Sequence, residues 1–172
     1  MTTTEDLCGC PEIDSSRVIR AAVLTLSDTR KLDNDKSGNA VVAHLTGANH
    51  ECVVRDILSD DAEPLRHRLN ELVKDSRVEV ILTTGGTGIA PRDLAIDVID
   101  SMLDVSLPGF GETFRRISVD EIGAKAMLSR AVAGRIGNTP IFAMPGSTSA
   151  VHTAMTQCVL PVLVHTVMLS QG

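Results

Sequence analysis

The sequence predicts an α/β domain of three layers, with helices on both faces of a mostly parallel sheet and an antiparallel edge hairpin. Short apolar runs rich in β-branched residues alternate with polar loops and with segments whose apolar residues have helical spacing. Repeated units of this kind form parallel sheets whose strands are buried on both faces. Farther along, two strand-like runs flank Gly137-Asn138, a dipeptide typical of hairpin turns.

The first half of the chain predicts two strand and helix units. The expected elements are a strand over Arg17–Leu26, a helix over Ala40–Ala48, a strand over Cys52–Leu58 and a helix carrying Leu65, Leu69 and Leu72. Asp60 and Glu63 have the spacing of a capping box, which gives Asp60 a structural explanation at the head of that helix. Thr29 to Asn39 forms a polar loop after the first strand, either as a ligand loop or as a solvated connection.

The second half predicts a central strand followed by helices and the hairpin. The expected elements are a strand over Val78–Leu82, helices over Leu94–Leu103, Glu112–Glu121 and Ala124–Leu128, strands over Ala131–Ile136 and Thr139–Met144, and a final helix from Thr148 to about Ser170. Asp93 is placed to cap the helix at Leu94. Leu107 to Gly111 predicts a tight bend before the next helix.

Composition narrows the class of protein. The chain has 172 residues, of which 43% are hydrophobic and 22% charged, so one folded domain is the simplest expectation. We expect residues 1–16, which are polar and lack periodicity, to form a flexible N-terminal arm before a single domain over residues 17–172. The net charge of −6, with no Trp or Tyr, argues against nucleic acid as a partner.

The cellular compartment is indicated by what the N-terminal region and the cysteines lack. Residues 1–16 do not have the basic and apolar pattern of a signal peptide, and the apolar run Cys158–Leu169 is too short and too interrupted to span a bilayer. Four scattered cysteines make neither a disulfide framework nor a complete zinc site, and Cys8 and Cys10 are expected to be free thiols rather than metal ligands. The sequence therefore predicts a cytoplasmic protein without a membrane association.

The loop after the central strand is a candidate phosphate site. Thr83-Thr84 leads into Gly85-Gly86-Thr87-Gly88, where three glycines permit a sharp turn and leave backbone N–H groups uncovered. A glycine loop between a strand and a helix binds anions in open α/β sheets. The pattern is neither a Walker loop nor G-x-G-x-x-G.

Over about residues 18–165, the chain resembles the MogA/MoaB family, and its motifs are most similar to those of the MoaB branch. The motifs that carry the resemblance are LTLSD at Leu24–Asp28, DKSG at Asp35–Gly38, TTGGTG at Thr83–Gly88, RD at Arg92-Asp93, PGFGE at Pro108–Glu112, LSRAVAG at Leu128–Gly134 and MPGS at Met144–Ser147. The resemblance implies molybdopterin adenylyltransferase activity in molybdenum cofactor biosynthesis. AMP would pass from ATP to the phosphate of molybdopterin, with release of pyrophosphate.

The resemblance also assigns candidate site residues. Asp60 and Asp93 match the acidic pair associated with catalysis, with the metal, expected to be Mg²⁺, and with ATP. The loop residues Gly85, Gly86, Thr87 and Gly88 would bind the ATP phosphates. The candidate substrate-binding residues are Ser27, Ser37, Gly38, Glu112, Pro145, Gly146 and Ser147. For Glu112, a plain structural role near the start of a helix is an equal alternative.

Two rival interpretations remain open, together with the choice of partners. A catalytically silent MoaB-like protein would bind molybdopterin or act as a scaffold, and the retained Asp60 and Asp93 argue against it. A molybdate-inserting protein belongs to a related class that is usually larger. Thr148 stands where relatives often have proline, which would affect the pterin pocket. The resemblance implies a homo-oligomer, either trimer or hexamer, and a downstream molybdate-inserting enzyme as a possible partner.

Overall fold

A computed structural model describes residues 16–172, so Cys8, Cys10 and all but the last residue of the expected N-terminal arm lie outside the described residues. The strands are β1 (Arg20–Leu26), β2 (Glu51–Leu58), β3 (Val80–Thr84), β4 (Val105–Ser106), β5 (Val132–Ile136) and β6 (Thr139–Met144). The α-helices are α1 (Lys36–Gly47), α2 (Ala62–Leu72), α3 (Ala95–Met102), α4 (Pro108–Ile122), α5 (Thr148–Ala154) and α6 (Leu163–Gln171).

The strands form one mixed sheet in the order β2-β1-β3-β6-β5-β4. The pairs β1–β2, β1–β3 and β3–β6 are parallel, whereas β5 pairs antiparallel with both β6 and β4. The predicted mostly parallel sheet and its antiparallel hairpin at Gly137-Asn138 are therefore confirmed. The edge strand beyond the hairpin is β4, a two-residue strand that the sequence pattern did not predict.

Helices cover both faces of the sheet, which confirms the three-layer architecture. Alternate residues of the central strands enter opposite cores, as the period of a strand requires. Val23 and Phe142 pack with α1, α4, α5 and α6 on one face, and Leu24 and Ile141 pack with α2 and α3 on the other. All four of these side chains have at most 2% of their surface exposed, so burial on both faces stabilises the centre of the sheet.

Two helices begin earlier than the sequence predicted. Helix α1 begins at Lys36 because Asp35 caps it, and the Asp35 carboxylate accepts a hydrogen bond from the Gly38 N–H. Helix α4 begins at Pro108, within the segment predicted to be a tight bend. Proline is compatible with the first turn of a helix, since its missing N–H has no intrahelical acceptor there.

The two predicted aspartate caps are wrong. Helix α2 is preceded by Asp61, whose side chain makes no capping hydrogen bond, and α3 is preceded by Leu94. Asp60 lies one residue too early to cap α2. The Asp93 carboxylate instead accepts a hydrogen bond from the Ala90 N–H, at 2.8 Å, and so stabilises the turn formed by residues 90–93.

The last helical segment is continuous over Thr148–Gln171 but irregular. A π-helical turn over Met155–Val159 and a 3-10 turn over Leu160–Val162 interrupt it around Pro161, which cannot donate an N–H to a regular helix. By length and composition alone this segment could cross a bilayer. Its packing explains the apolar character, since it contributes these fully buried side chains to the core: Val151, Met155, Val159, Leu163 and Val167.

Candidate functional site

The carboxyl ends of β1, β2, β3 and β6 meet at one edge of the sheet because these strands are parallel. Backbone hydrogen bonds join the loops that follow them. The Ser27 N–H donates to the Leu58 carbonyl oxygen at 2.9 Å, and the Gly85 N–H donates to the Met144 carbonyl oxygen at 3.1 Å. This edge therefore gathers residues from four distant parts of the chain, at the place where open α/β sheets bind ligands.

The glycine loop lies tightly against the end of β1. Gly85 has φ +103° and Gly86 has φ +62°, a region that side chains other than glycine rarely adopt. A Cβ at Gly85 would lie 2.4 Å from the Leu26 carbonyl oxygen, and one at Gly86 would lie 2.7 Å from the Ala95 Cβ. Both the conformation and the space at these positions require glycine.

Arg130 holds the carbonyl side of the same loop. Its backbone N–H donates to the Thr87 carbonyl oxygen at 2.9 Å, and its Nε donates to the Gly88 carbonyl oxygen at 2.8 Å. Its Nη2 also donates to the Asp93 carbonyl oxygen, and its Nη1 lies within hydrogen-bond distance of both oxygens of the Asp97 carboxylate, at 2.9 and 3.0 Å. These contacts fix the shape of the loop from one side.

The loops after β1 and β2 bring Asp28 and Asp60 close together, and Arg92 links them to the segment that carries Asp93. The Asp28 carboxylate accepts a hydrogen bond from the Asp60 N–H at 3.2 Å, and burial raises the pKa of Asp60 above its usual 3.8. The negative charges of Asp28 and Asp93 raise that pKa further, whereas Arg92 opposes the shift. Arg92 pairs with Asp28 at 2.8 Å, and with Asp61 at 3.7 Å. Carboxylates that repel one another in this way are suited to sharing a cation.

Asp93 lies directly over the glycine loop. A Cβ at Gly88 would be 2.6 Å from the Asp93 Oδ2, and a cleft of about 270 Å³ opens beside them, lined in part by Asp97 and Arg130. Within residues 16–172 no group of three or more His, Cys, Asp and Glu side chains is arranged to hold a metal by itself. Mg²⁺ commonly uses one or two carboxylates together with substrate phosphates and water. Asp60 and Asp93 fit that mode of binding.

A second charged cluster lies under the start of α1, and of its members only Ser37 and Gly38 were predicted as site residues. The Asp35 carboxylate is fully buried, and it accepts hydrogen bonds from the Thr25 hydroxyl at 2.6 Å and the Arg55 guanidinium at 2.9 Å. The Ser37 hydroxyl and the Gly38 N–H donate to its other oxygen, at 3.2 and 3.0 Å. Burial alone would raise the pKa of Asp35, but these hydrogen bonds and the charge of Arg55 lower it below 3.8.

Arg30 connects this cluster to the turn after β6. Its Nη1 donates to the Ser37 hydroxyl and lies 3.6 Å from the Asp35 carboxylate, and its Nη2 donates to the Gly146 carbonyl oxygen at 3.1 Å. The side chain is 32% exposed at the edge of the site. The resemblance pointed to this region through Ser37, Gly38 and Gly146, but no local pattern pointed to Arg30 or Arg55.

Of the remaining predicted residues, Ser27 and Ser147 lie at the carboxyl edge of the sheet, whereas Glu112 lies on the surface of α4. The Ser27 hydroxyl accepts hydrogen bonds from backbone N–H groups of its own loop, at 3.3 Å, and Ser147 caps α5 through a 3.2 Å hydrogen bond from the Ala150 N–H. Both therefore lie at the carboxyl edge of the sheet, with Gly146. Glu112 is exposed on α4, and no described residue makes a hydrogen bond or an ion pair with it.

The fold and this site define an α/β domain of the kind that binds phosphorylated ligands at the carboxyl ends of parallel strands. Residues 22–165 match the family described as "Probable molybdopterin binding domain", and the chain belongs to that family. This membership confirms the resemblance drawn from the sequence motifs.

Proteins similar to this chain are named for the biosynthesis of the molybdenum or tungsten cofactor. Molybdenum cofactor biosynthesis protein B of Bacillus cereus is 43% identical over 148 residues, which are 86% of this chain and 88% of that protein. A crystal structure of a Molybdenum cofactor biosynthesis protein B has a TM-score of 0.88 at 40% identity, covering 90% of this chain and 97% of the other. The tungsten cofactor synthesizing protein MoaB from Pyrococcus furiosus has a TM-score of 0.80 at 33% identity, covering 91% and 99%.

Proposed function

We propose that this chain is a cytoplasmic, Mg²⁺-dependent molybdopterin adenylyltransferase of molybdenum cofactor biosynthesis. The family match and the names of its relatives support the biosynthetic role. The observation that supports the proposed reaction is the position of the Asp93 carboxylate against Gly88 of the glycine loop, in a segment that Arg92 links to the loop carrying Asp28, beside Asp60. Such a group can bind a metal–nucleotide complex, which a scaffold protein does not need.

The proposed reaction joins two phosphates. An oxygen of the molybdopterin phosphate attacks the α-phosphorus of ATP, a P–O bond forms, and the bond to the β-phosphate oxygen breaks to release pyrophosphate. The nucleophile is already anionic, so the reaction needs no general base. The main barrier is repulsion between anions, which Mg²⁺ and directed N–H donors reduce.

Each part of the site has a role in this proposal. Asp60 and Asp93 would hold Mg²⁺ with the phosphates of ATP, and the backbone N–H groups of residues 85–88 would receive the nucleotide phosphates. The residues proposed to bind molybdopterin are Ser27, Ser37, Gly38, Pro145, Gly146, Ser147 and, on the resemblance alone, Glu112.

The proposal extends to assembly. By its family resemblance the protein would form a homo-oligomer, a trimer or a hexamer, and would pass adenylylated molybdopterin to a molybdate-inserting enzyme.

The test is an adenylyl-transfer assay with molybdopterin, ATP and Mg²⁺, in which both the adenylylated product and pyrophosphate are measured. Asp60→Asn and Asp93→Asn remove the charges, and an asparagine at 93 can still accept the Ala90 hydrogen bond. Each change is expected to lower the rate about 100- to 1,000-fold, as does the loss of one electrostatic contact to a transition state. Asp120→Asn, on the exposed side of α4, is the control and should leave the rate unchanged.

Two results would contradict the proposed reaction. One is molybdopterin binding by the wild type without any product, which would identify a catalytically silent binding protein. The other is full activity in Asp93→Asn with an unaltered dependence on Mg²⁺, which would remove this carboxylate from the metal site.

A further inference from the structure

Arg30 has a position that the proposed reaction does not use. Its guanidinium spans two segments expected to bind the pterin, because Nη1 contacts Ser37 at the start of α1 and Nη2 contacts Gly146 in the turn after β6. These segments lie more than a hundred residues apart in the chain. Arg30 is therefore the side chain that connects them, and it remains partly exposed to a ligand at the same edge.

The charges around Arg30 leave a positive excess. Asp35 is the carboxylate paired with both Arg30 and Arg55, so two cations share one buried anion. The shorter contact, at 2.9 Å, belongs to Arg55, and Arg30 lies farther away at 3.6 Å. Among residues 16–172, Arg30 forms an ion pair with no carboxylate other than Asp35, which it shares with Arg55. The two arginines and the one aspartate therefore leave a net positive charge at the rim of the site.

The geometry of Arg30 suits a phosphate. The planar guanidinium can pair with two oxygens of an anion, and within residues 16–172 its Nε makes no hydrogen bond. The backbone acceptor at Gly146 and the hydroxyl at Ser37 hold the group in place without neutralising it. A fixed guanidinium loses little conformational entropy when it binds an anion.

We infer that Arg30 binds the phosphate of the pterin substrate directly. Asp35 then acts as a positioning residue, because it holds Arg55 and Arg30 in place for that phosphate. This inference rests on the proposed function, because it takes molybdopterin as the substrate. ATP is the other source of phosphate, and Gly146, which Arg30 contacts, lies against Gly85 of the glycine loop, where a Cβ at Gly146 would be 3.3 Å from the Gly85 Cα. The titration with ATP and Mg²⁺ therefore distinguishes the two sources.

The experiment measures binding rather than turnover, so that it is independent of catalysis. Full-length protein is titrated anaerobically with molybdopterin, with molybdopterin whose phosphate has been removed enzymatically, and with ATP and Mg²⁺. The variants are Arg30→Gln and Arg30→Lys. Arg66→Gln is the matched control, since Arg66 is partly exposed and also donates to a serine hydroxyl, that of Ser101.

Arg30→Gln is expected to weaken molybdopterin binding about 10- to 100-fold, the usual effect of losing a hydrogen bond to a charged group. Binding of the dephosphorylated pterin and of ATP should change less than about twofold. Arg30→Lys should recover part of the lost affinity, because lysine restores the positive charge but not the planar pair of N–H donors. Arg66→Gln should match the wild type in every titration.

Three outcomes would overturn the inference. The first is equal weakening for the phosphorylated and dephosphorylated pterins, which would indicate a structural role for Arg30. The second is a loss confined to ATP, and the third is a wild type that does not distinguish the two pterins. Failure of the proposed reaction has a different signature, namely phosphate-dependent pterin binding in the wild type without adenylylated product.

Discussion

Asp35→Asn tests whether the buried carboxylate stabilises the fold through its charge. Asparagine keeps the size of the side chain but replaces one acceptor oxygen with an NH2 group. One oxygen of Asp35 accepts from Arg55 and the other from the Gly38 N–H, so either orientation of the amide places a donor against a donor. Removing one partner of a buried pair costs about 3–5 kcal/mol, and we expect a loss of that size in the free energy of unfolding.

The assay is denaturant unfolding of the wild type and the variant at about pH 7 and again in acid. Because the pKa of Asp35 is lowered in the folded protein, its contribution is complete above the unfolded pKa and is lost as the pH falls through the folded pKa. The difference between the two proteins should therefore shrink below about pH 4. A difference under about 0.5 kcal/mol at neutral pH would refute the reasoning.

The control for this experiment is Asp75→Asn. Asp75 pairs at 2.7 Å with Arg77, a neighbour in the chain whose side chain is 68% exposed. Solvent screens such a pair, so its loss should change the stability much less than Asp35→Asn does. Equal losses at the two positions would mean that burial of the charge is not the reason for the effect.

Two further predictions concern the glycine loop and the histidines. Gly85→Ala should lower the free energy of unfolding by about 1–3 kcal/mol, because its φ is +103° and a Cβ would lie 2.4 Å from a carbonyl oxygen of β1. Gly47 lies in α1 with open space around it, so Gly47→Ala should raise the free energy of unfolding by about 0.5–1 kcal/mol. Denaturant titrations in which the two substitutions change stability in the same direction would contradict this account. Burial and the repulsion of His152 lower the pKa of His44, so stability should fall as the pH drops below about 6.5. In denaturant unfolding at several pH values, His44→Gln should lose less stability in acid than the wild type does, whereas His67→Gln, at an exposed position, should behave like the wild type. If His44→Gln and the wild type show the same pH dependence, His44 is not the cause of the loss.

Local patterns predicted the elements whose stability depends on their own sequence. Apolar runs predicted β1, β2 and β3, and Gly137-Asn138 predicted the hairpin that joins β5 to β6. The parallel pairing of β6 with β3 was not predicted. Strand β4 was missed because its two residues form a strand only through pairing with β5, where Val105 lies opposite Arg135. The proposed caps failed because capping depends on the position of a single residue, and Asp60 lies one residue too early.

The same distinction applies to the candidate site. The glycine loop was predictable because its conformation follows from consecutive residues. The cluster around Asp35 was not, because its partners come from β1, β2 and the loop before α1, and only the fold brings them together. Asp60 illustrates the opposite error, since a local pattern suggested a cap, whereas Asp61 precedes α2 and the Asp60 N–H donates to the Asp28 carboxylate.

The central position of β6 has a consequence for synthesis of the protein. This strand lies between β3 and β5 although it comes from the last quarter of the chain, and it contributes Phe142 and Ile141 to the two opposite cores. While the ribosome has not yet released residues 139–144, β3 has an unpaired edge and both cores are incomplete. Unpaired apolar edges are templates for aggregation. We therefore expect a chain truncated before Thr139 to aggregate rather than fold.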